Sequence, residues 1–129
     1  MDREILFRGK RLDNEEWVEG GYWQNDTVTK TTKHIIDHDG NPHAVTPTTV
    51  GQYTGLTDKN GVKIFEGDVL RGKDKRFFRV DYNADIAGYV AHAVDGGAST
   101  PCLNVGTMGY YEVNGNIHDN PNLVVDENG

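Results

Sequence analysis

A chain of 129 residues, with 36% apolar residues and two Trp, six Tyr and four Phe, has the material for one core of ordinary size. Its formal charge of −7 disfavours a phosphate backbone or an anionic membrane as the main partner, because both demand clustered Lys and Arg. Cys102 is the single cysteine; it excludes an intrachain disulfide, fits a reducing compartment and reads as a small buried hydrophobe.

The chain opens on Met1-Asp2-Arg3-Glu4, and only Ile5-Leu6-Phe7 precede Arg8. That run is too short for a signal peptide and no later run approaches a membrane span, so the cytoplasm is the expected location. Glu4 to Arg8 reads as an opening strand. Trp17 to Trp23, interrupted by Gly20-Gly21, reads as two short strands or one with a bulge. Thr27 to Lys33 is rich in β-branched residues, and His34-Ile35-Ile36 leads into Asp37-His38-Asp39-Gly40-Asn41-Pro42, a turn or hairpin tip. Thr48 to Thr54 resumes an extended pattern, and Asp58-Lys59-Asn60-Gly61 turns the chain again, with Asn-Gly able to supply positive φ at both central residues.

The clearest alternation spans Lys75 to Tyr82. Phe78, Val80 and Tyr82 share one face, while Phe77, Arg79 and Asp81 share the other. Asn83-Ala84-Asp85 turns the chain into a partner strand, Ile86 to Val94, and the pair predicts an antiparallel hairpin. Asp95 to Thr100 is loop-like, and a last strand is expected near Gly109 to Val113. No window of twelve residues holds helical apolar spacing. The pattern predicts a mainly β fold with little helix, a small antiparallel barrel or sandwich.

Three blocks resemble the YopX-like family of small phage and prophage proteins. The central block runs Thr49-Val50-Gly51-Gln52-Tyr53-Thr54-Gly55-Leu56-Thr57-Asp58-Lys59-Asn60-Gly61, then Lys63-Ile64-Phe65-Glu66-Gly67-Asp68-Val69-Leu70. The opening block is Arg3 to Lys10 continuing through Trp17-Val18-Glu19-Gly20. The closing block is Gly115-Asn116-Ile117-His118-Asp119-Asn120-Pro121-Asn122-Leu123. The segments 25–46 and 73–108 match no pattern of the family.

The resemblance implies an SH3-like barrel with additional N-terminal strands, forming one domain over residues 1–125 with a solvated tail at 126–129. It brings no activity, cofactor or catalytic residue with it. The central block is therefore read mechanically: Tyr53, Leu56, Ile64 and Phe65 as core contacts around a hairpin turned by Asp58 to Gly61, and Glu66-Gly67-Asp68 as a second tight turn.

Three constellations could carry chemistry. His34, Asp37, His38, Asp39 and His43 are five potential metal ligands within ten residues. On a strand, however, His34 and His38 would stand about 13 Å apart, and zinc needs its ligands at about 2 Å from one point, so a polar hairpin is expected and no metal. Glu66 and Asp68, with Asp58 across the hairpin, could form an acid/base pair, but carboxylates in turns more often cap backbone N–H groups. Arg71, Lys73, Lys75, Arg76, Phe77 and Arg79 could contact a single-stranded nucleic acid. Asp74 interrupts that stretch, and charged edges also serve to discourage aggregation. The expectation is thus a non-enzymatic protein without cofactor in a bacterial host cell, acting through self-association as a homo-oligomer or through contact with a phage or host protein. A nucleic-acid accessory role is the alternative, and a metal-dependent or acid/base hydrolase the last choice.

Overall fold

Short runs of β-branched and aromatic residues, each closed by a turn rich in Gly, Asn or Asp, leave this chain little but antiparallel pairing. The computed structural model describes residues 4–95, 103 and 108–124. The fold is mainly β, and among the described residues the only helical elements are three short 3-10 turns. No helix among them is long and apolar enough to cross a membrane. Cys102, the Gly- and Ser-rich stretch after Asp95, and the tail at 126–129 lie outside the described residues. The chain divides into two compact units, residues 1–53 and 54–129.

The first unit holds β1 (Phe7–Lys10), β2 (Trp17–Asp26), β3 (Thr31–Ile36), β4 (Pro42–Val45) and the start of β5 (Gly51–Thr57). They pair in the order β4-β3-β2-β1-β5, and every pair whose register is defined is antiparallel. The expected opening strand begins at Phe7 rather than Glu4, for Glu4 and Ile5 are exposed and lie before it. The expected run from Thr27 is also late in starting. Thr27 forms a tight turn in which its N–H and its hydroxyl both donate to the Lys30 carbonyl, so the strand begins at Thr31.

β2 is one continuous strand that changes partner at the glycine pair. Trp17–Gly20 pair with β1, and Gly21–Asp26 pair with β3. The two glycines differ in what they face. A Cβ on Gly20 would collide with the Ile36 carbonyl, whereas a Cβ on Gly21 would meet nothing. Ile35, Val45 and Tyr53 are the buried apolar side chains of this unit. Buried Thr49 adds a polar clasp, its hydroxyl accepting the Lys10 N–H at 2.9 Å and donating to the Thr46 carbonyl at 2.6 Å.

The second unit places β6 (Lys63–Phe65) beside β5 and builds an antiparallel sheet in the order β10-β7-β8-β9 from β7 (Asp68–Gly72), β8 (Phe77–Asn83), β9 (Gly88–Ala93) and β10 (Tyr111–Asn116). The β8–β9 hairpin is the one that alternation predicts, in register from Phe78↔Ala93 to Asn83↔Gly88. Phe78 and Val80 turn into a core with Ile64, Leu70, Ala91, Leu103 and Tyr111, while Phe77, Arg79 and Asp81 face away. Phe78 meets Tyr111 edge-to-face at 5.3 Å. Tyr82 shares their face but lies beyond the core, half-exposed against Tyr89.

The glycine pair in β2 supplies a direct check on this register. Gly20→Ala should cost about 1–3 kcal/mol through overpacking against the Ile36 backbone. Gly21→Ala should be neutral or raise stability by about 0.5 kcal/mol, because alanine loses less entropy on folding. Urea melts of the two variants measure both, and equal losses would contradict the change of partner.

Candidate functional site

Among the described residues the buried polar side chains of the second unit are Asp58, Asp68 and Asn116, all within the blocks singled out above. Asp58 closes the loop between β5 and β6. Its N–H donates to the Val62 carbonyl at 2.8 Å, and its own carbonyl accepts the Gly61 N–H at 3.0 Å. Its Oδ1 accepts the N–H groups of Asn60 and Val62 at 2.8 and 2.9 Å. Its Oδ2 reaches 55 residues along the chain to accept the Val113 N–H at 2.8 Å. Of the expected positive φ angles at Asn60-Gly61, only Gly61 has one, at 83°.

The same geometry continues through the other motif residues. Thr54 accepts the Leu56 N–H and donates to the Ile64 carbonyl, pinning the positive φ of Gly55 between them. Asp68, fully buried, accepts the Phe65 N–H at 2.7 Å. Gly67, at φ 91°, donates its N–H to Val80 and accepts the Ile117 N–H, each at 2.9 Å. Half-buried Glu66 completes that turn. Asn116 sits opposite Asp68 in the β10–β7 register. Its side-chain oxygen accepts the N–H groups of His118 and Asp119, and its amide donates to Asp119. Asn120 returns an oxygen to the Asn116 N–H and lies over Gly115, just before exposed Pro121 opens a 3-10 turn. Of the expected core contacts around this hairpin, Tyr53, Ile64 and Phe65 are buried and Leu56 is half-buried. Gln52 pairs with Phe7 on β1.

These side chains use their oxygens to hold backbone donors, as short polar side chains in turns commonly do. The family profile described as YopX protein matches residues 6–125. The chain belongs to the YopX family. A crystal structure of protein EF1440 from Enterococcus faecalis is similar in fold, with a TM-score of 0.56 at 21% identity over 95% of this chain and 99% of that one. None of the curated proteins matches the chain.

In this YopX chain the histidine cluster is dispersed by the pleat of the sheet. His34 pairs with Ala44 and Ile35 with His43, so His34 and His43 point to opposite faces. His34 stacks on Trp23 at 4.8 Å and its buried Nδ1 has no hydrogen-bond partner. His38 stands exposed in the expected turn, beside Asp39. Among the described residues no three His, Cys, Asp or Glu are grouped to hold a metal ion. What the cluster does build is a second copy of the Asp58 loop. Asp37 exchanges backbone bonds with Asn41 and Gly40, and its Oδ1 accepts the N–H groups of Asp39 and Asn41. Its Oδ2 meets His43 Nε2 at 2.8 Å.

The basic stretch is largely spent inside the protein. Arg76 makes a two-pronged contact with Asp95 at 2.9 and 3.0 Å, with Asp74 beyond, and its guanidinium lies over Phe78. Arg79 donates to Asp81 at 2.8 Å. Arg71 lies over Phe77, with its Nε buried and lacking a hydrogen-bond partner, and Lys73 lies over Tyr110. Lys75 tips the β7–β8 loop at φ 68°, inside a Gly72–Arg76 backbone bond of 2.9 Å.

Two measurements test this reading. Asp58→Asn should cost about 1–3 kcal/mol, since one amide oxygen cannot replace two carboxylate oxygens and the new NH₂ faces a backbone donor. Gly61→Val and Gly67→Val should each lose about 1–3 kcal/mol through the positive φ they inherit; thermal melts that leave all three variants unchanged would refute a structural role. Asp37 supplies a pH test. Hydrogen bonding from His43, then from the Asn41 and Asp39 N–H groups, holds its carboxyl below the usual carboxylate range. The resulting stability is complete above about pH 4 and is lost as pH falls through the depressed value. Acid titration of Asp37→Asn should show a shallower loss below pH 4 than the parent protein.

Proposed function

We propose that this YopX protein is a non-enzymatic, phage- or prophage-type protein of the bacterial cytoplasm that works through protein contacts, self-association among them. The observation that carries the reading is the thinness of the first unit's own core. Its buried apolar side chains are Ile35, Val45 and Tyr53, while Ile5, Leu12, Trp23 and Val28 remain exposed, Val28 completely. Apolar surface left by so small a core is the material of an interface. The second unit closes a larger core around Ile64, Leu70 and Phe78, and also leaves Val62, Tyr82, Ile86 and Tyr110 exposed.

Among the described residues the second unit's strands form open sheets and no closed barrel; an SH3-like arrangement of them belongs to this proposal, with the motif residues as its scaffold. The nucleic-acid reading has less support, because Arg76 and Arg79 are already paired with carboxylates and the net charge is −7. Sedimentation velocity over a wide concentration range tests the proposal. The expected result is a mass that rises with concentration above the 14.3 kDa of one chain. A single monomeric species throughout, or a salt-sensitive complex with oligonucleotides, would speak against it.

A further inference from the structure

In the sheet β10-β7-β8-β9 the core takes one face and charged side chains gather on the other. Phe77, Arg79 and Asp81 of β8 lie on that second face. Pairing adds Arg71 and Val69 from β7, opposite Phe77 and Arg79, and His92 and Val90 from β9, opposite Arg79 and Asp81. Directly opposite residues share a face, and diagonal ones stand about 7–8 Å apart, within reach of long side chains. Arg71, Arg79 and His92 therefore form an unbroken run of basic groups across three strands. A cavity of about 300 Å³ opens beside the last two, lined by Arg79, His92, Ala93 and Val94.

Asp81 sets the orientation of both lining side chains. Arg79 Nε donates to Asp81 Oδ2 at 2.8 Å, and His92 Nε2 stands 3.7 Å from the same oxygen. The carboxylate thus holds the guanidinium by its inner nitrogen, and among the described residues Arg79 makes no other side-chain hydrogen bond. Its two outer nitrogens remain as a fork of donors, the arrangement that grips phosphate oxygens. Arg71 lies over Phe77 and has no ion pair among the described residues. Against these cations stand Asp81 and Glu112, and Glu112 is drawn off to Lys59 at 3.6 Å. Buried Val69 and Val90 flank the site on the same face, and apolar neighbours strengthen the attraction between charges.

We propose that this cavity binds the phosphate group of a small phosphorylated metabolite, with Arg79 and His92 on the phosphate and Asp81 as the residue that positions Arg79. Size and charge select that class. The volume exceeds what a bare oxyanion needs and sits at the lower end of small-molecule sites, about 300–1,000 Å³. A carboxylate offers one pair of oxygens and is used up by the Arg79 fork. A phosphate monoester offers three, enough for the fork and His92 together. A nucleic-acid strand asks instead for a track of cations beside open aromatic faces. Here the Phe77 ring is overlain by Arg71 and the chain carries a net charge of −7. The site lies wholly within the second unit and does not depend on the self-association proposed above.

The test titrates the full chain with glycerol phosphate, inorganic phosphate, glycerol and a thymidine oligonucleotide, followed by amide resonances. Glycerol phosphate should move Arg79, His92 and Val94 together and saturate at a lower concentration than inorganic phosphate, while glycerol moves nothing. Arg79→Gln should weaken binding about tenfold or more, and His92→Gln about threefold, as lost charged and neutral hydrogen bonds do. Arg11→Gln, which removes a charge from the first unit, should bind as the parent does. Arg79 and His92 are 46% and 48% exposed, so both variants should keep the parent's far-UV spectrum. The resonance map of the parent decides the matter without any variant. Shifts scattered over the lysines and arginines of the whole chain, titrations that never saturate, or an Arg79→Gln variant that binds as tightly as the parent would overturn the site. An oligonucleotide that moves the same amides at lower concentration would overturn the small ligand in favour of a strand.

Discussion

The second unit of this protein hangs on one buried carboxylate. Asp58 accepts three backbone N–H groups, two from the loop it begins and one from Val113 on β10. Burying a charge is costly unless donors compensate it, and here the donors come from segments 55 residues apart. The cost of leaving any of them unpaired therefore fixes the loop and seats β10 together. With β10 seated, Tyr111 can meet Phe78 in the core and Ile117 can bond to Gly67. The β10–β7 register then places Asn116 opposite Asp68, where it folds the chain back on itself.

The two units reach stability by different means. The second has a contiguous apolar cluster running from Ile64 to Tyr111. The first relies more on hydrogen-bonded clasps, Thr49 to Lys10 and Asp37 to His43, around fewer buried side chains. Hydrophobic burial is non-directional and changes little with pH, whereas the Asp37 clasp depends on a titrating group. Acid sensitivity of that kind is therefore built into the 37–43 loop.

What was legible in the sequence was local. The β8–β9 hairpin follows from period-two alternation around Asn83-Ala84-Asp85, and the loops at Asp37 and Asp58 follow from their Asp and Gly residues. Gly20-Gly21 announced an irregularity, but a change of partner can be seen only when β1 and β3 are both in place. Asp58 was legible as a turn residue and not as a bridge, since any backbone N–H looks like any other and nothing in the sequence marks Val113. The histidines scatter because the β3–β4 register puts His34 and His43 on opposite faces, a fact that their spacing alone does not fix. Arg76 likewise finds Asp95 only once β8 and β9 are aligned.

Three hairpin loops share one plan, with a tight turn followed by a left-handed residue: Asp37–Asn41, Asp58–Val62 and Gly72–Arg76. The first two put glycine in the left-handed place and an aspartate at the loop's start. The third puts Lys75 there and starts on Gly72, with Asp74 capping Arg76 instead. A lysine resists that backbone shape by about 1 kcal/mol or more, so this loop works against its own closure. The β7–β8 hairpin is thus closed by its strands and not by its turn. These three hairpins divide accordingly into two whose connections instruct the pairing and one whose connection obeys it.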